Sequence, residues 1–212
     1  MKYIRIILAV LLFALLLCSC TEKDDCNNGE TLDAKPVIYL YPETVTDVTV
    51  TLDYSGRLVC TYPEYNGGWS VTAHPDGTLV GVDGKEYAYL FWEGASSADY
   101  DFSKGFVVKG SDTAAFLEEK LEYLGLNFRE REDFITYWLP RMQENPYNLI
   151  SFQSETYTES AKLTITPEPD TVIRVFMAFK PLEEPLDIPE QTLTGTSRSG
   201  FTAVEWGGAE IK

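Results

Sequence analysis

The chain has 212 residues, 17 basic and 33 acidic, for a formal net charge of −16, and 44% of it is hydrophobic. That length and apolar content suit one domain with a real core. The acidity works against nucleic acid and anionic lipid headgroups as partners, because like charges repel.

The N-terminus is the most specific stretch. Lys2 and Arg5 precede an unbroken apolar run over residues 6–17. Twelve apolar residues are too few to span a bilayer as a helix, which needs about 20. A basic start, a short apolar core and a small residue before the cut describe a secretory signal. The ending Leu17-Cys18-Ser19-Cys20 resembles the lipobox of bacterial lipoproteins. The resemblance implies that residues 1–19 are removed, that Cys20 is the lipidated residue, and that a palmitate-type acyl chain ties the protein to a membrane. Without Lys2 and Arg5 the 17 basic residues become 15, against 33 acids, a net of −18.

Cys26 and Cys60 are then the remaining thiols. An oxidising compartment preserves disulfides, so this pair is a candidate bridge. Residues 20–35 are polar without apolar period and are expected to be a flexible acidic tether. Within them, Glu22-Lys23-Asp24-Asp25 resembles the acidic export signal of surface lipoproteins in some Gram-negative bacteria. The expected location is therefore the cell envelope, lipid-anchored in the outer membrane, with the outer surface as one option. Residues 24–29 hint at a calcium loop, but Cys26 and Lys35 fall where an EF-hand needs oxygen ligands.

Residues 36–212 read as a single β-rich α+β domain. Residues 36–42 are apolar on both strand faces and bounded by Pro36 and Pro42. Val48, Val50 and Leu52 alternate with Thr49, Thr51 and Asp53, giving one dry and one wet face. A short strand is predicted over 58–62. Trp69, Val71 and Ala73 repeat the alternation, and Pro75-Asp76-Gly77 makes a tight turn. Asp83-Gly84 predicts a hairpin between strands 78–82 and 85–92. Strand 106–109 follows. The period then changes: Ala114, Leu117, Leu121 and Leu124 take helical spacing, ending at Gly125. Phe134, Ile135, Trp138 and Leu139 form the stripe of a second helix over roughly 129–139, limited by Pro140. A helical hairpin over about 111–142 is thus expected to cover one face of a mainly antiparallel sheet. Strands at 149–153, 161–166, 171–179 and 201–206 complete it, and a second layer of strands or the loop carrying Pro181, Pro185 and Pro189 covers the other face.

The blocks at 35–42 (KPVIYLYP), 89–93 (YLFWE), 137–140 (YWLP), 173–177 (IRVFM) and 200–208 (GFTAVEWGG) resemble those of a group of uncharacterised secreted or lipoprotein-type bacterial proteins. The likeness covers most of residues 35–208. It implies no activity and brings no catalytic residues.

Common catalytic sets are missing from the sequence. One histidine, His74, sits before a turn, and there is no HExxH, Gly-x-Ser-x-Gly, CxxC or glycine-rich phosphate loop. No metal or cofactor is expected. Carboxylates beside aromatics remain: Glu93 after Trp92, and Glu205 before Trp206. An acid on an apolar strand face is costly unless paired, and Arg174 is the obvious partner. Three uses compete: a structural Arg–Glu pair; a ligand site of Trp92, Glu93, Arg174, Glu205 and Trp206 for an extracellular glycan, peptide or envelope protein; and a glycosidase-like pair of Glu93 and Glu205. The ligand site is expected where strands 87–93 and 201–206 end, beside the proline-bearing loop. A binding or scaffolding module is favoured over a carboxylate-dependent hydrolase.

Overall fold

The computed structural model describes residues 30–212. The signal, Cys20, Cys26 and the acidic export-like stretch lie outside the described residues.

The domain is α+β, built as small sheet on large sheet on helical hairpin. In chain order, β1 is Thr31–Tyr41, β2 Thr46–Tyr54, β3 Arg57–Tyr62, β4 Trp69–Ala73, β5 Leu79–Gly81, β6 Glu86–Tyr87, β7 Leu90–Ser96 and β8 Phe106–Lys109. Helices α1 (Thr113–Leu124) and α2 (Phe128–Met142) follow, then β9 (Tyr147–Phe152), the short α3 (Ser154–Ser160), β10 (Ala161–Thr166), β11 (Thr171–Leu182) and β12 (Thr202–Glu210). The seven-stranded sheet runs β3-β7-β1-β12-β11-β9-β8, and the five-stranded sheet β10-β2-β4-β5-β6. Among the described strands all pairings are antiparallel except β11 with β12.

Side-chain alternation explains the layering. β2 and β4 bury Val48, Val50, Leu52, Trp69, Val71 and Ala73 on one face, while Thr49, Asp53 and Ser70 are exposed. A sheet with one dry face needs one cover. The central strands β1 and β12 are buried on both faces and need two. On β1, Ile38 and Leu40 enter the core between the sheets, and Val37 and Tyr39 the core under the helices. On β12, Ala203 and Ala209 face the small sheet, and Val204 and Trp206 face the helices.

The helical hairpin forms where its spacing predicts it. Leu117 and Leu121 of α1 and Phe134, Ile135 and Trp138 of α2 are buried against the sheet. Gly125 ends α1 at φ 103°, a conformation costly for a residue with a Cβ. Asn127 then starts α2 with a capping box: its side chain accepts from the Arg129 and Glu130 amides, and Glu130 accepts from the Asn127 amide. α2 passes through Pro140 to Met142, beyond the expected stop, because a proline in the last turn costs only one internal bond.

Three expectations are corrected. The first strand starts at Thr31, not after Lys35, so residues 31–35 belong to the sheet. Residues 85–92 are not one strand: β6 lies in the small sheet, and the chain crosses to the large sheet before β7. Pro181 pairs within β11 opposite Asn148, so the proline-bearing loop begins after Leu182.

Candidate functional site

The five predicted ligand residues do not form one site: Trp92, Arg174 and Glu205 meet, while Glu93 and Trp206 lie on the other face of the sheet. Glu93 shares its face with Phe91, which packs under the helices, whereas Trp92 points into the core between the sheets. Glu205 points the same way as Trp92, and Trp206 the opposite way. Glu93 and Glu205 therefore sit on opposite faces of one sheet. Trp92 and Trp206 are both 0% exposed, so neither offers a stacking surface.

Each acid has a structural use. β1 bulges between Ala34 and Val37, with Lys35 at φ 59°. There the Lys35 amide donates to Glu93 Oε1 at 3.2 Å, and Lys35 Nζ donates to the Tyr89 hydroxyl at 3.0 Å. Glu205 and Arg174 are direct cross-strand partners on β12 and β11. Arg174 Nε donates to Glu205 Oε2 at 2.6 Å, and Trp92 Nε1 donates to Glu205 Oε1 at 3.2 Å. The guanidinium carbon also stands 4.8 Å from the centre of the Tyr157 ring. Burial pulls the guanidinium down, but the Glu205 carboxylate and Tyr157 outweigh it and hold Arg174 above its ordinary value.

Another acid, fully buried, was hidden in the expected tether. Asp33 is 0% exposed and accepts from Tyr100 at 2.5 Å, Tyr54 at 2.6 Å and Ser96 at 3.3 Å. Burial pushes its carboxyl up and the three hydroxyl donors pull it down, leaving it above the usual carboxylate range. Burial and the Asp33 charge push both tyrosines up, so their hydroxyls stay protonated and donate. Thus Asp33, Glu205 and Arg174 form a polar belt inside an otherwise apolar core, with Asp33 and Glu205 sealed from solvent and Arg174 at its edge.

The open chemistry lies at one edge of that belt. β9 pairs with β11 only from Met177↔Phe152 to Leu182↔Tyr147. The Gln153 amide adds one bond to the Phe176 carbonyl, and the chain then coils into α3. The lane beside residues 172–175 of β11 is left vacant. A cavity of about 580 Å³ occupies it, walled by Ser151, Gln153, Thr156, Arg174, Gln191 and Leu193 among others. That volume lies within the range of ligand pockets. Arg174 lines this cavity, and its Nη2 is buried without a hydrogen-bond partner.

The loop after β11 closes the cavity. The Gly105 amide donates to the Pro189 carbonyl, and the Gln191 side chain takes both the amide and the carbonyl of Phe152, as a neighbouring strand would. Arg198 donates to the Gly125 carbonyl and to buried Glu130, fixing the loop to the helical hairpin.

The open cavity is thus displaced from the place where a ligand site was expected. It lies beside the proline-bearing loop and includes Arg174, but not the ends of β7 and β12. Sequence reasoning missed α3, because Ser154-Glu-Thr-Tyr-Thr-Glu-Ser160 has no apolar period; Tyr157 is the side chain it sends deep into the core. Cys60 is exposed on β3 and has no disulfide partner among the described residues; its expected partner Cys26 lies outside them. No group of histidine, cysteine, aspartate and glutamate suited to a metal ion occurs among the described residues.

No family model matches the chain. It is 44% identical over 94 residues to an uncharacterised protein encoded in the bglA 3′ region of Butyrivibrio fibrisolvens, covering 43% of this chain and 93% of that protein. The chain belongs to the family of that Butyrivibrio protein. No solved structure matches. No described helix is long and apolar enough to cross a membrane.

Proposed function

We propose that the protein is a lipid-anchored binding module of the bacterial cell envelope, and that its ligand site is the cavity beside β11. The cavity carries this reading: it combines a walled, half-open volume, hydrogen-bonding side chains and an unsatisfied buried donor on Arg174. The anchor rests on the short apolar run ending in Leu17-Cys18-Ser19-Cys20. Outer-membrane residence, with Glu22-Lys23-Asp24-Asp25 as a surface address, belongs to the same proposal. The module is non-catalytic, because Glu93 and Glu205, on which a hydrolase would depend, face opposite sides of one sheet and each has a structural partner.

Two experiments test it. The full chain is mixed with a glycan panel and a peptide panel, and both binding and turnover are scored. Binding without turnover is the expected outcome. Turnover that Glu93→Gln or Glu205→Gln abolishes in a folded protein would overturn it. Separately, acyl labelling in a lipoprotein-processing host is expected on the parent and lost from Cys20→Ala. Labelling that persists in that variant removes the anchor assignment.

A further inference from the structure

We infer that the ligand of this cavity is an extended peptide that adds to the sheet as a strand beside residues 172–175 of β11. The inference rests on the cavity being a binding site, and it goes on to name what binds.

The backbone makes the case. The Phe176 carbonyl points to the β9 side, where it accepts from the Gln153 amide. The Thr171 amide points the other way and donates to the Phe201 carbonyl. Strand groups alternate in direction. The N–H and C=O groups of Val172 and Arg174 therefore face the vacant lane, where α3 has taken the chain away. No backbone or side-chain group among the described residues bonds to them there. Such groups form the pairing template of an open sheet edge. Native edges are commonly covered or blunted, but this one opens into a walled cavity.

The side chains agree. On the helix side the lane is bounded by Phe152, Ile173, Val175 and Leu193, all within or packed on the apolar core under the helices. On the other side it is bounded by Ser151, Gln153 and Arg174, whose Nη2 is the unsatisfied donor. A strand in this lane presents successive side chains to opposite faces, so the cavity suits a peptide alternating apolar and polar residues. Four residues in extended form span about 13 Å, the length of the vacated stretch. A sugar fits less well: both candidate stacking tryptophans, Trp92 and Trp206, are sealed in the core, and sugar recognition makes no use of paired strand N–H and C=O groups.

The test uses the full chain and capped hexapeptides alternating apolar and polar residues, with binding read by titration and by amide hydrogen exchange. In the free protein the Val172 and Arg174 amides are expected to exchange fast, and saturating peptide to slow both at least ten-fold. Val172→Pro removes one lane-facing donor at a half-exposed edge position while leaving the β12 ladder intact, and is expected to weaken binding at least ten-fold. Val172→Ala keeps the donor and is expected to bind within about three-fold of the parent. Peptide binding that leaves both amides unprotected, or equal affinity in the two variants, overturns strand addition. If Val172→Pro does not fold, the amide readout on the parent decides alone. Glycan binding with no peptide binding overturns this inference but leaves the binding module standing; binding to neither panel overturns both.

Discussion

Arg174 and Glu205 form a buried ion pair between β11 and β12. Glu205 is 1% exposed and the Arg174 side chain 10%, so each charge is held away from water by the other. Arg174→Met would leave the Glu205 carboxylate with only the 3.2 Å bond from Trp92. Glu205→Gln keeps an acceptor for Trp92 but strands the guanidinium. Breaking a buried pair on one side costs about 3–5 kcal/mol, while removing both charges is often close to neutral. Near 180 ordered residues, each kcal/mol moves Tm by about 2–4 °C, so either single variant should melt roughly 6–20 °C lower. The double variant Arg174→Met/Glu205→Gln should be more stable than either single one. Urea titration with unchanged slope reads these differences directly. Single losses below about 1 kcal/mol, as for a solvated pair, or a double loss equal to the sum of the singles, would refute the view that the two charges exist for each other.

Two further outcomes follow from the same belt. Asp33 titrates above its ordinary value of 3.8 in the folded protein, so the fold takes up this proton at higher pH than the unfolded chain does. Its contribution to stability is therefore highest below that ordinary value and falls as pH rises through the elevated one, where charge must be buried. The difference in urea midpoint between the parent and Asp33→Asn should shift across this window, and a pH-independent difference would contradict the assignment. Gly94→Ala places a methyl group against the Tyr54 ring, whose hydroxyl serves Asp33. The crowding should cost about 1–3 kcal/mol by the same titration, whereas a neutral or stabilising result would show that the ring moves freely.

Much of the architecture was legible because periodicity reports burial. The alternation of Val48, Val50 and Leu52 and the helical spacing of Leu117 and Leu121 each became a buried stripe where expected. The pairing of Arg174 with Glu205 was readable from the cost of an unpaired acid in an apolar strand, and cross-strand register supplies it. What failed was long-range. Asp33 looked like tether because it follows a long polar run, and only hydroxyls distant in sequence, from Tyr54, Ser96 and Tyr100, make a buried position tolerable. Residues 85–92 looked like one central strand because both faces are apolar, a pattern that also fits a chain crossing from one sheet to another. The cavity has no sequence signature at all, since it exists through the mismatch in length between β9 and β11.

That mismatch links the cavity to the polar belt. α3 does two things at once: by coiling at Ser154 it vacates the lane beside β11, and by burying Tyr157 it puts a ring against the Arg174 guanidinium. Tyr157 also stacks on Phe176 at 4.2 Å between ring centres, which fixes α3 to the strand whose edge it leaves open. The buried charges and the open edge thus meet at one place. Arg174 is the residue common to both, holding Glu205 with one nitrogen and leaving another unpaired where its own backbone faces the lane. A fold under no demand beyond stability gains little from such an arrangement, because apolar side chains of similar volume are commonly as stable as a buried ion pair. Its presence at the cavity is the physical reason to look for function there and not at Glu93 or Trp206.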